Sequence, residues 1–235
     1  MQQNEYLQTA LDDISTIKKT LEKSKLNYRA FGILFVVYAA LELFCSLYSI
    51  IAYELIRGFE ASYIAKALDA YNIIGAVIAA VALAVQLVVY FTNFKSLKLR
   101  NDVNTLPIYK IWGVVLLLVP TINEIIIRIS SLIYQISINS SDTDVESYTN
   151  FIFKSQANVI LSAALCLSAL FFTGVMTKDK RVQVTSIKSI CIVSVFYLAF
   201  SYSLTMWDKY LWGGVNLVIL GVGIYYLIKA KKTYG

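Results

Sequence analysis

The chain has 235 residues, 58% hydrophobic and 15% charged, with a formal net charge of +6. A soluble domain carries roughly 45–50% apolar and about 25% charged residues, so lipid, rather than a soluble core, is the expected solvent for much of this chain. Histidine is absent, which removes histidine-ligated metals, Ser-His and Cys-His nucleophilic pairs and the histidine general base. No cofactor or metal is expected. No nucleic-acid partner is expected either, because the positive charge is distributed as membrane topology would distribute it.

Residues 1–28 carry a heptad-like stripe: Leu7, Ile14, Leu21 and Tyr28 recur every seven residues, with Ala10, Ile17 and Ser24 three further on. They lack the apolar run of a signal peptide. The pattern predicts a cytoplasmic amphipathic helix with two open readings. It lies on anionic lipid, or residues 7–28 form a seam with a second copy or a membrane-protein partner.

A membrane-crossing helix needs about 20 mostly apolar residues. Six stretches qualify, at about 30–56, 70–94, 108–133, 151–177, 187–207 and 210–228. The predicted fold is therefore all-α, with a compact six-helix transmembrane bundle over residues 29–235. The second stretch is free of charge and carries Gly75, Ala76, Ala79, Ala80 and Ala84 at four-residue spacing, a ladder suited to helix packing. The third holds Pro120, which removes a backbone donor and favours a kink. A polar, acidic connection runs over about Gln135–Asn150 and reads as a solvated loop. The Trp207–Gly214 region reads as a tight hairpin between the last two spans.

Orientation follows from Lys and Arg, which are retained on the cytoplasmic side. The N-terminal segment, the second and fourth connections and the tail hold 16 of the 21 basic residues. Both termini are thus expected inside a plasma or cytoplasmic membrane. Trp112, Tyr90 and Tyr226 are expected at inner headgroup edges and Trp207 and Trp212 at an outer one. Spans 1, 3 and 5 also align loosely as a triplicated hairpin. Arg29-Ala-Phe-Gly32 falls over Lys110-Ile-Trp-Gly113 and Lys188-Ser-Ile-Cys191.

Polar residues inside the bilayer are costly and mark either helix packing or a wet cavity. Glu42, Asn123, Glu124, Arg128, Asn158 and Asn216 fall at similar depth in the outer half and form the candidate polar layer. Arg128 lies four residues after Glu124, so the two can pair on one helix face, or Glu42 can compete for Arg128. Glu124-x-x-x-Arg128 resembles half of the E-E-x-x-x-R signature of the CAAX-type intramembrane proteases. Asn123 replaces that family's first Glu and its histidines are lacking, so the activity is not carried over. The expectation is a non-enzymatic regulatory, assembly or protective membrane subunit. The alternative is a small ion or solute transporter or channel with an outer-half polar cavity.

Overall fold

The computed structural model describes residues 11, 13–15, 26–57, 61–115, 119, 145–200 and 207–234. All regular secondary structure among the described residues is helical. The elements are α1 (Tyr28–Arg57), α2 (Ala61–Leu99), α3 (described over 105–115), α4 (Val145–Met176), α5 (Lys180–Phe200) and α6 (Trp207–Tyr234). Of the predicted N-terminal helix, residues 11, 13–15 and 26–28 are described: 11 and 13–15 are helical, with Leu11 and Ile14 exposed, whereas Leu26 and Asn27 are not helical and Tyr28 opens α1.

Three helices begin at one end of the bundle, each capped by a short polar side chain. Asn27 Oδ1 accepts the Ala30 N–H (3.2 Å), Asp102 Oδ1 the Thr105 N–H (2.9 Å) and Asp179 Oδ1 the Arg181 N–H (3.1 Å). Each satisfies an amide that the first turn leaves without an intrahelical partner. The helices that return to this end stop in a common way. Asn101 and Lys178 adopt positive φ, 50° and 54°. The Asp102 N–H reaches back to Leu97 O (3.2 Å) and the Asp179 N–H to Gly174 O (2.8 Å). The Asn101 and Lys178 N–H groups bond Lys98 O and Val175 O, both at 3.1 Å, completing the paired bonds of a Schellman motif. One aspartate thus closes the outgoing helix through its backbone and opens the next through its side chain. The caps at 27, 102 and 179 give a register for the three hairpins that differs from the basic-residue alignment. That alignment set Arg29 over Lys110.

The helices alternate in direction from this end. The Asn27 N–H donates to Thr105 Oγ1 (2.9 Å), Tyr28 and Tyr226 rings lie 5.4 Å apart, and the Thr177 and Tyr226 hydroxyls lie 3.3 Å apart. The most extensive packing is between α1 and α6. It is close because of two glycines. A Cβ at Gly223 would lie 2.9 Å from the Val36 backbone nitrogen, and one at Gly32 would lie 2.7 Å from Leu227. Inside this crossing sits an aromatic core of Phe31, Phe35, Tyr109, Trp112 and Tyr226, all buried. Phe35 and Trp112 centroids are 4.5 Å apart, and Tyr90 stacks on Tyr109 at 5.1 Å.

Among the described residues, four helices are long and apolar enough to cross a membrane: Tyr28–Ala52, Ile73–Leu99, Val159–Met176 and Tyr210–Lys232. Large apolar side chains line their outer faces. On α2, Ile73, Val77, Val81 and Val88 are 58–66% exposed. Such a stripe is unfavourable against water and ordinary against lipid tails. The chain is therefore an all-helical protein of membrane type. The first half of α5 carries Lys180, Arg181, Gln183 and Lys188, and the predicted fifth span ends at 207, past the described Phe200. The third predicted span lies outside the described residues beyond 115, apart from 119.

The helices extend beyond the predicted spans: α2 begins at Ala61 where the span starts at about 70, α4 at Val145 where it starts at about 151, and α5 at Lys180 where it starts at about 187. Hydropathy marks where side chains change character, whereas the backbone ladder continues past that point. Residues 145–150 of the expected acidic loop are consequently helical, and so is the whole Trp207–Gly214 region. Trp112 and Tyr226 are fully buried and Tyr90 nearly so, so their rings face the core of the bundle rather than its surroundings. Their polar tips find partners there: Trp112 Nε1 donates to Thr173 Oγ1 (2.8 Å) and the Tyr226 hydroxyl meets Thr177. Ala76, Ala79, Ala80 and Ala84 face outward. The inner stripe of α2 is Ala82, Gln86, Tyr90 and Leu97.

Candidate functional site

Two polar clusters join the helices, one deep along the bundle and one at the capped end. The first is built on Glu42. Phe31, Phe35, Tyr38 and Glu42 follow one another at three- and four-residue steps, so the stripe that places the aromatic core inward also turns Glu42 inward. At about 1.5 Å per residue the carboxylate lies roughly 22 Å along α1 from Asn27. Its Oε1 accepts a hydrogen bond from Gln86 Nε2 on α2, and its Oε2 one from Trp212 Nε1 on α6, both at 3.1 Å. Three helices therefore meet at one carboxylate. Around it, Ser46 donates its hydroxyl to the Glu42 carbonyl (2.8 Å), and the Tyr38 hydroxyl lies 3.7 Å from Cys166 Sγ on α4.

Asn216 sits one turn beyond Trp212 and is fully buried. Its Nδ2 donates to the Trp212 carbonyl (2.9 Å), and its Oδ1 has no hydrogen-bond donor among the described residues. Of the predicted polar layer, Glu42 and Asn216 are thus placed on the two most tightly packed helices and linked through Trp212. Asn158 lies on α4, but its side chain is not described. Asn123, Glu124 and Arg128, with their predicted pairing, lie outside the described residues.

Gln86 and Trp212 were missing from the sequence-derived set. Gln86 carried a signal: it is the one polar side chain in the run Ala76–Phe91 apart from Tyr90, and it falls at four-residue spacing with Ala82 and Tyr90. Trp212 carried a misleading signal. Its ring chemistry suits a headgroup edge as well as it suits an indole donor aimed at a carboxylate.

The second cluster centres on Asp179, in the turn between α4 and α5. Its Oδ2 accepts from Lys229 Nζ (2.6 Å) and from the Tyr225 hydroxyl (3.1 Å). Lys229 Nζ also lies 4.3 Å from the Tyr28 ring centroid, a cation–π contact. The Asp179 side chain is 4% exposed and the Lys229 side chain 31%. Burial pushes the Asp179 carboxyl upward, but the Lys229 ammonium, the Tyr225 hydroxyl and the Val182 amide outweigh it. The carboxyl is held below the usual carboxylate value. The Thr177–Tyr226 contact and a bond from Gln183 Nε2 to the Gly174 carbonyl (3.0 Å) complete this end. Read by sequence, Lys178, Lys180, Arg181 and Lys229 were topology markers and Asp179 had no role.

The two clusters offer different chemistry. Asp179 is a charge neutralised by a charge. Glu42 meets only neutral donors, and no Lys or Arg pairs with it among the described residues. Those residues also contain no group of three or more Cys, Asp or Glu placed to hold a metal ion. Compared with known proteins, the chain matches no family model, no curated protein and no solved structure.

Proposed function

We propose that the chain is a multi-pass membrane protein of six spans with both termini cytoplasmic, working as a non-enzymatic regulatory, assembly or protective membrane subunit. The observation that carries this reading is the use made of the polar side chains. Glu42 is tied to α2 and α6, and Asp179 to α6, as helix-to-helix connections. A bundle so fastened suits a scaffold that presents residues 7–28 to a partner or to a second copy. The heptad-like stripe ends at Tyr28, whose ring already packs on α6, so a partner seated on it would be held next to the bundle. Deleting residues 1–26 should abolish co-purification of the partner while the remaining chain still elutes as a single species. An unchanged set of partners refutes the reading. Single cysteines placed in each connection of a cysteine-free variant, probed with an impermeant thiol reagent, test the six spans and the inside location of both ends.

A second reading, a small ion or solute transporter or channel, is favoured by two specific observations. Asn216 Oδ1 is buried without a donor, and Glu42 has no counter-charge among the described residues. Purified protein in vesicles should then pass an ion or small solute, and Glu42→Gln should alter that flux. Absence of flux under every imposed gradient refutes it.

A further inference from the structure

We propose that Glu42 binds and releases a single proton inside the bundle, with Gln86 and Trp212 holding the carboxyl group in both states. A carboxylate within hydrocarbon is kept by an ion pair, by hydrogen bonds, or by taking a proton. The Asp179 cluster uses the first means. Among the described residues Glu42 has the second, from two uncharged N–H groups 3.1 Å away. A lysine or arginine partner would favour the charged form strongly; an amide and an indole do not. Both N–H groups can donate to a carboxylate oxygen or to the oxygens of a carboxylic acid, so the three-helix node survives the exchange.

Among the described residues, the titratable groups that face Glu42 are Tyr38 and Cys45 on α1 and Cys166 on α4. Of the polar side chains there, α2 contributes Gln86, and α6 Trp212 and Asn216. None of these carries a charge at neutral pH, since phenols and thiols ionise above it. Glu42 is also partly exposed. A protonated carboxyl becomes a donor in need of an acceptor. The buried acceptor without a donor, Asn216 Oδ1, lies one turn along α6 from Trp212.

The inference is independent of any partner. It names the proton as the ion of the transport reading, and proton binding without flux would overturn that reading and leave this one standing. The test uses the full chain in lipid nanodiscs, titrated over about pH 4–9. Infrared difference spectra of the parent, with those of Glu42→Gln subtracted to remove the other carboxyl groups, should show one carboxylic-acid carbonyl band rising on acidification, with a one-proton transition. The indole emission should follow it. Glu42→Gln, which preserves shape and mimics the neutral state, should lose both signals while keeping the helical circular dichroism of the parent. Trp212→Phe should lose the emission change and keep the infrared band. An identical infrared titration in Glu42→Gln overturns the proposal, and so does a parent spectrum with no carboxylic-acid band at any pH tested.

Discussion

The two ends of α6 are fastened to the rest of the bundle by opposite means. Near its start, Trp212 donates to a carboxylate whose partners among the described residues are neutral; near its end, Lys229 meets Asp179 at 2.6 Å as a full ion pair. The difference follows the solvent. At the capped end Lys229 is partly exposed, so water shares the cost of its charge, and the pair doubles as a helix cap. Deeper in, a lysine would bring a second desolvated charge, and the sequence supplies an amide and an indole instead. The deep contact should therefore be insensitive to salt, and the shallow one sensitive to both salt and acid.

The largest break in this comparison is Glu42→Leu. It strands the Gln86 amide and the Trp212 indole N–H in a low-dielectric region, at a cost of about 1–3 kcal/mol. Unfolding in mixed micelles measures it, and the loss should be the same at low and high salt. Glu42→Gln should cost much less, because an acceptor oxygen remains.

Asp179→Asn comes next. It removes the charge that pairs Lys229, at a cost of about 1 kcal/mol once the partial exposure of Lys229 is discounted, and the loss should shrink as salt rises. The pH dependence has a definite sign. The folded carboxyl is held below its unfolded value, so its contribution is fully present above the unfolded value and disappears as pH falls through the folded one. The parent should lose this increment in acid, and Asp179→Asn should lack it, so the difference in stability between the two should shrink as pH falls.

The smallest effect concerns the turn that carries Asp179. Lys178 holds a φ of 54°, a region that costs a β-carbon-bearing residue about 1 kcal/mol. Lys178→Gly should stabilise the protein by up to about 0.5–1 kcal/mol without changing the Asp179–Lys229 pair. A loss of stability would show that the Lys178 side chain contributes more than its backbone costs.

What the sequence made legible is what depends on long runs of one solvent preference. The all-helical membrane-type fold follows from apolar length, and Glu42 and Asn216 follow from polarity inside those runs. What it hid depends on which face of a helix meets which neighbour. Gln86 and Trp212 become partners of Glu42 only when α2 and α6 flank α1. Trp112 and Tyr226 look like interfacial anchors until Thr173 and Thr177 are placed beside them. The alanines of α2 follow a packing motif, yet it is the Gln86 face that turns inward. Asp179 was concealed by its neighbours Lys178, Lys180 and Arg181, whose charge dominated the reading of that turn.

The seam between α1 and α6 also bears on how the protein is made. α1 packs chiefly against α6, so this seam cannot close until α6 has been synthesised. Throughout that interval Glu42 is in the membrane before Trp212 exists, and Tyr28 waits for Tyr226 and Lys229. The nascent chain must hold a half-satisfied carboxyl and an open aromatic face until α6 arrives. Chains cut short before α6 are therefore exposed to the membrane's quality-control proteases in a way that chains lacking the N-terminal segment are not.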